Sequence, residues 1–277
     1  IVIGFAASYS GWLAAYSGPS TNAALIAIED INEKGGLLGK QLKPVFADAK
    51  TDRAEGAKAG LEVLAQDAKM MVVDCDYDFG APAALQAKNA NVIAIFLCAE
   101  SVLAGIQGVG QNAFSASILA TVQGATIAEW GAMNKGWKTA YILLDTAIEY
   151  NKGICYGFDW MWKEKLGLEI MGHDVYKNDD ASIAAQITKI KNLPSEPDVI
   201  INCSYIPGGA SAIKQLRAAG INSAIGGGSS MTGTFWQDAV PGLSNHFVPE
   251  QASIYGDDPR QEVEDFNQKF EARFGEK

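Results

Sequence analysis

Histidine and cysteine are scarce in this chain of 277 residues. There are two histidines, His173 and His246, and four cysteines, Cys75, Cys98, Cys155 and Cys203. His173 lies inside an apparent strand, where a structural or surface role is the expected one. No His/Cys/Asp spacing has the form of a metal site, so neither a metal nor a catalytic group is expected. Four cysteines are too few for a disulfide scaffold. No apolar run approaches the ~20 residues that a helix needs to cross a bilayer. Clustered positive charge is also missing. The net charge of -10 argues against nucleic acid and anionic membrane surfaces as partners.

Two glycine motifs lack what their chemistry needs. Gly108-Val109-Gly110-Gln111-Asn112-Ala113 matches G-x-G-x-x-A as a string, yet follows no strand and opens no helix, which excludes a dinucleotide fingerprint. Gly226-Gly227-Gly228-Ser229-Ser230 ends a strand and is suited to close backbone approach. It has neither a nucleophile elbow nor the lysine of a phosphate loop. No cofactor is expected.

What the chain does have is alternation. Ile1 to Ala7 reads as a buried strand, Ser8 to Gly18 as a loop, and Ala23 to Ile31 as a helix stopped by Gly35-Gly36. Leu42 to Ala47 and Met70 to Val73 are further strands, with a helix from Glu55 between them. Asp74 to Gly80 reads as a loop before a helix over 81–89, and Val92 to Leu97 as a strand. Phe114 to Ser117 is a candidate crossing to a second domain. The pattern then restarts: helix 119–134, strand 139–144, helix 156–166, strand 169–176, helix 183–193, strand 197–203, helix 210–219 and strand 224–227. A short helix over 231–239, an extended segment over 246–253 and an amphipathic helix over 261–274 close the chain. Strict alternation means parallel sheets covered by helices, and two successive sets mean two α/β lobes. The expected division is 1–117 for lobe I, 118–248 for lobe II and 249–277 as a return to lobe I that leaves it incomplete.

Open α/β sheets bind ligands beyond the carboxyl ends of their strands. Those positions carry Tyr16, Asp76, Tyr77, Asp78, Glu100, Tyr150 and Tyr205, with Trp12 nearby. Aromatic rings with a polar tip suit a small-ligand clamp.

The sequence resembles the type I periplasmic solute-binding proteins of ABC importers, in the leucine/isoleucine/valine-binding branch. Ser10-Gly11 carries the resemblance, as does the run from Ala27 to Lys40 (AIEDINEKGGLLGK) with Asp48 beyond it. So do Gln123-Gly124 and the run from Lys214 to Gly220 (KQLRAAG). The resemblance implies a two-lobe clamshell, each lobe a parallel sheet flanked by helices. It implies a monomer that captures a small molecule by lobe closure outside the cytoplasm, after loss of a signal peptide, and delivers it to an ABC permease. Ile1 already belonging to a strand fits a trimmed mature form or a cytoplasmic chain. Matching positions make Tyr16, Asp76, Tyr77, Asp78, Ala99, Glu100, Ser101, Tyr150, Tyr205 and Gly228 the expected ligand-binding set. In the family, hydroxyl residues after strands three and four hold a carboxylate. Here Asp76, Tyr77 and Asp78 stand in the first of those loops, and Ala99, Glu100 and Ser101 in the second. Ala120 and Gly228 stand where the family carries acids for an ammonium. The expected ligand is therefore an amino acid, amine or amide with its nitrogen directed at lobe I. A signalling ectodomain of the same fold, a binder of aromatic or aliphatic carboxylates, and an α/β enzyme using the acidic loops are the alternatives. Cys75 and Cys98 end strands expected to be neighbours, so a bridge between them and two buried thiols both remain open.

Overall fold

In a computed structural model, residues 1–275 are described. Residues Ile1–Ser117, together with the stretch from Ala252 onward, form one compact unit, and Ile118–Gln251 the other.

The first unit holds strands β1 (Val2–Ala7), β2 (Lys43–Asp48), β3 (Met70–Val73), β4 (Ile93–Phe96) and β5 (Ala113–Ser115), in the order β2-β1-β3-β4-β5. Every pair is parallel. Helices α1 (Ala14–Glu33), α2 (Arg53–Ala65) and α3 (Tyr77–Asn89) link them. Buried on both faces, the strands read as near-continuous apolar runs. On one face Met71, Val73, Ala94 and Phe96 meet Ala59 and Val63 of α2 and an alanine stripe of α3, Ala83, Ala84 and Ala87. On the other, Ile3, Phe5 and Val72 pack with Ile28 of α1 and Leu42. The C-terminal helix α8 (Gln261–Phe274) joins this unit through ion pairs from Lys269 to Asp30 and from Arg273 to Glu29.

The second unit repeats the plan. Its strands are β6 (Thr139–Asp145), β7 (Glu169–Tyr176), β8 (Val199–Cys203), β9 (Ala224–Gly226) and β10 (His246–Phe247), in the parallel order β10-β9-β8-β6-β7. Helices α4 (Ala120–Trp130), α5 (Glu149–Asp159), α6 (Ala184–Lys191) and α7 (Gly208–Ala218) complete it. The first two run on into wider-wound turns, Gly131–Lys135 and Trp160–Lys165. Helices α4 and α5 cross with their backbones nearly touching. A Cβ on Gly124 would lie 2.0 Å from the Ile154 carbonyl oxygen, and one on Gly157 1.9 Å from that of Thr121. Only glycine fits there.

Several boundaries differ from the sequence reading. The loop expected over 8–18 ends early, because α1 starts at Ala14. No side chain caps it. Instead Leu13 is buried and Ser17 Oγ donates to Asp74 Oδ1 at 2.8 Å, so tertiary contacts hold turns that Gly18 and Pro19 would weaken. The loop expected over 74–80 also ends early: α3 begins at Tyr77, capped by Asp76. Helix α5 begins seven residues ahead of the expected Tyr156, at Glu149, with Asn151 Nδ2 tied to the Asp145 carbonyl at 3.0 Å. The helix expected over 231–239 is two single 3-10 turns, Ser229–Met231 and Gln237–Ala239, separated where Gly233 takes φ +75. Only His246–Phe247 of the expected extended segment pairs in a sheet.

Candidate functional site

At the carboxyl ends of the first sheet, carboxylates organise the loops. Asp74 follows β3 and is fully buried. It accepts from the Ser8 backbone N–H at 2.6 Å, from Ser8 Oγ at 2.9 Å and from Ser17 Oγ at 2.8 Å. Burial pushes its carboxyl up to about 6, against the pull of those donors. Asp48, at the end of β2, accepts from Tyr9 N–H, Ser10 Oγ and Lys50 N–H at 2.7–2.9 Å. Burial raises this carboxyl, but the donors outweigh it and the net shift is downward. A disulfide between Cys75 and Cys98, with Cα atoms 4.3 Å apart, closes the pair of sequence alternatives and ties the end of β3 to that of β4.

That bridge brings most of the expected residues of this unit together. Asp76 follows Cys75, and Ala99, Glu100 and Ser101 follow Cys98. All four are buried. The Asp76 carboxylate accepts the Asp78 N–H at 2.8 Å as the cap of α3, and burial, then the Asp78 charge, push it up to about 8. Asp78 is ion-paired with Arg53 at 2.7 Å. Tyr77 sits in the first turn of α3 rather than in a loop. Its ring leans on Phe96, with centroids 6.5 Å apart. Tyr16 likewise sits on a helix, half-buried in the first turn of α1 and edge-on to Trp12. The Ala99 carbonyl accepts Ser115 Oγ at 2.5 Å, and Ser101 Oγ accepts the Leu103 N–H at 3.2 Å.

In the second unit the organising acid is Asp145, which closes β6. It accepts from Ser204 Oγ and Asn178 Nδ2, both at 2.7 Å, and from the Ala147 N–H at 3.0 Å. Burial raises its carboxyl, and the donors oppose that rise. Tyr150 and Gly228 meet through Gln123, a residue that the expected site omitted. Tyr150 Oη donates to Gln123 Oε1 at 3.2 Å, the Ser229 N–H donates to the same oxygen at 2.9 Å, and the Ser230 N–H donates to Tyr150 Oη at 3.1 Å. Tyr205 is buried beside Ser204, whose carbonyl accepts Ser230 Oγ at 2.8 Å. A second disulfide, Cys155–Cys203, ties α5 to the end of β8. It was not anticipated, since nothing local relates a helix position to a strand 48 residues on. The sequence signal for these scaffolding residues was modest: an acid directly after a strand, as at Asp48, Asp74 and Asp145.

His173 lies in β7, with its Nε2 3.4 Å from Asp159. Burial, then Lys163, lower its pKa, so it stays neutral at pH 7. Among the described residues no group of His, Cys, Asp and Glu could hold a metal ion, and no helix is long and apolar enough to cross a membrane.

The sequence matches the periplasmic binding protein family over residues 1–277. The chain belongs to that family. A curated relative, the Leu/Ile/Val-binding protein BraC3 of Rhizobium johnstonii, is 25% identical over 237 residues, which are 85% of this chain and 63% of BraC3. The chain thus spans less than two thirds of that relative. Among solved structures, the branched-chain amino acid transporter substrate-binding protein LivJ of Streptococcus pneumoniae, in complex with isoleucine, matches with TM-score 0.85 and 25% identity. That match covers 100% of this chain and 78% of LivJ. A leucine-binding protein LivK of Thermotoga maritima has the same fold, with TM-score 0.81 and 20% identity over 100% of this chain and 77% of that one. The fold expected from the resemblance is therefore present: two α/β units, each a parallel sheet flanked by helices.

Proposed function

We propose that the chain is the extracytoplasmic solute-binding component of an ABC importer. It captures a small amino-acid-like, amine- or amide-bearing ligand by closure of its two units and hands it unchanged to membrane permease subunits. The observation that carries this is the placement of Tyr16, Tyr150 and Tyr205, with Glu100 and Ser101, at or just beyond strand carboxyl ends in a chain of the periplasmic binding protein family. Relatives named for leucine, isoleucine and valine support an amino-acid-like solute. Binding without bond cleavage needs no nucleophile, metal or proton shuttle, and the chemistry of these residues asks for none.

A second reading, capture of an aromatic or aliphatic carboxylate, is favoured by the state of the acids. Asp78 is neutralised by Arg53, and Asp76 has a pKa of about 8, so both repel a carboxylate less than their composition suggests.

Native mass spectrometry of the purified protein, followed by calorimetric titration with amines, amides, amino acids and simple acids, separates the readings. Tight binding of a monocarboxylate that lacks nitrogen selects the second. Small-angle scattering tests closure: the radius of gyration falls with saturating ligand, and an unchanged radius refutes it.

A further inference from the structure

The two disulfides of this chain differ in what surrounds them. Cys155 and Cys203 are buried within the second unit, 7% and 0% exposed. Cys75 and Cys98 each keep part of their surface open. Exchange with a thiol requires the attacking thiolate to reach one sulfur, so access separates a labile bridge from an inert one. In this molecule the first bridge is the reachable one.

Its place in the fold gives it something to hold. Val73 pairs with Phe96 at the end of the parallel ladder, and two residues beyond each stands a cysteine. On the β3 side the chain is pinned without the bridge. Asp74 takes three hydrogen bonds from Ser8 and Ser17, and the Cys75 N–H donates to Ser17 Oγ at 3.4 Å. On the β4 side the Leu97 N–H still reaches the Val73 carbonyl at 3.0 Å. Past it, Ala99 is tied to Ser115 of β5, and Ser101 to Leu103 and Ala104 of its own loop. The bridge is the covalent link between residues 98–101 and the strand end that carries Asp76.

The two sulfurs are not equivalent. Ser20 Oγ lies 3.4 Å from Cys98 Sγ and 3.3 Å from Cys75 Sγ, and beside a bridge without thiol protons its hydroxyl is the donor. Cys75 Sγ also meets the Tyr16 carbonyl oxygen at 3.6 Å, and its neighbour Asp74 is ionised above about pH 6. Both oppose a thiolate on Cys75. The nearest acid to Cys98 in the chain is Glu100, two residues on. Negative charge is therefore better placed on Cys98, with Ser20 donating to it.

We propose that Cys75–Cys98 is a thiol-exchange site, which takes a small thiol at Cys75 and thereby controls the mobility of residues 98–101. The thiolate of the small thiol attacks Cys75 Sγ and forms a mixed disulfide there. The bond between the two cysteine sulfurs breaks, its electron pair leaves on Cys98 Sγ, and that sulfur takes a proton. A second small thiol attacks the first one's sulfur and releases Cys75 as a thiol. Net, two small thiols give two electrons and two protons to the bridge and join as a disulfide. Through the freed loop, the exchange reaches Ala99, Glu100 and Ser101 of the candidate set.

The intact native protein, treated with 2-mercaptoethanol, quenched in acid at intervals and mapped by peptide mass, tests it. Cys75 and Cys98 open about tenfold or more faster than Cys155 and Cys203, and the first adduct is on Cys75. Equal rates, or earlier opening of the buried bridge, overturn the site, and a first adduct on Cys98 overturns the assigned direction. Ser20→Ala slows native opening of the first bridge severalfold relative to the same variant's rate in denaturant, and an unslowed ratio overturns the role given to Ser20. With the bridge open, amide hydrogen exchange over residues 97–104 speeds more than tenfold while that over 70–73 holds. Unchanged exchange in both overturns control of the loop. Faster exchange throughout overturns it too, by showing a staple of the whole unit. No readout involves a solute, so each of these failures leaves solute capture standing, and failed capture leaves the exchange site standing.

Discussion

The two units share a strand order and differ in what holds their strand ends. In the first, the loops hang on carboxylates: Asp74 gathers Ser8 and Ser17, Asp48 gathers Tyr9 and Ser10, and Asp76 caps α3. In the second, one carboxylate, Asp145, does part of this. The cluster around Gly228 is held by an amide, a phenol and two backbone N–H groups. The difference teaches that one architecture can be locked by titratable groups or by neutral ones. The consequence is a difference in response to pH. Asp74 and Asp76 change protonation near neutrality, at about 6 and about 8, whereas the Gln123 amide does not titrate.

What the units have in common gives the largest expected effect. Each has one disulfide beside its candidate residues, spanning 23 residues in the first and 48 in the second. Replacing either pair by serine should destabilise the protein by about 3–4 kcal/mol. The longer loop should lose more, by ~0.6 kcal/mol per doubling of length. Denaturant unfolding of the two double variants measures both, and equal stability of either variant and the wild type would show that its bridge does not form.

The next effect is confined to the second unit. Gly228→Ala places a methyl on Tyr150 Oη and should cost about 1–3 kcal/mol as the ring and loop move apart. Ligand affinity should fall more than tenfold, while the first unit keeps its hydrogen-exchange protection. Loss of protection in both would mean that the units do not respond separately.

A pH titration separates them further. The Asp76 pKa is raised from 3.8 to about 8, so between roughly pH 4 and pH 8 the native chain retains a proton that the unfolded chain has lost. Stability therefore falls as pH rises through that window, with a limiting slope of about 1.4 kcal/mol per pH increment of one. Asp76→Asn keeps a capping oxygen and flattens the slope. Thermal melts from pH 4 to 8 on both proteins check it, and parallel curves would mean that Asp76 is ionised throughout.

The smallest effect is at the exposed half of an ion pair. Arg53→Met removes the partner of Asp78 from a side chain that is 61% exposed, and should change stability by less than ~1 kcal/mol. A larger loss would show that Asp78 is less hydrated than its pairing suggests.

Much of the architecture was legible because it is written in local pattern. Met70–Val73, Glu169–Tyr176 and Gln261–Phe274 were readable residue for residue, since an apolar strand run and a 3.6-residue stripe depend only on neighbours in the chain. Helix starts were less legible. Tyr16, Tyr77 and Tyr150 all looked like loop residues and all lie in first helical turns. The contact that stabilises the first of those turns, Ser17 to Asp74, comes from another strand end, and that of the last, Asn151 to Asp145, from the end of the strand just before it. Asp76 was the exception, an N-cap legible in sequence but read as part of a loop.

By itself, then, the order of residues determined two sets of parallel α/β units, their helix and strand sequence, the positions after strands that supply the candidate residues, and membership of a family. Those properties follow from periodicity and from motifs short enough to read along the chain. Tertiary structure alone decided the partners. It set Cys155 against Cys203, drew Gln123 onto the Gly228 loop, left Asp78 with Arg53, and raised Asp76 by burying it. Each of these depends on distances and desolvation between segments remote in sequence, and neither quantity exists until the sheets have formed.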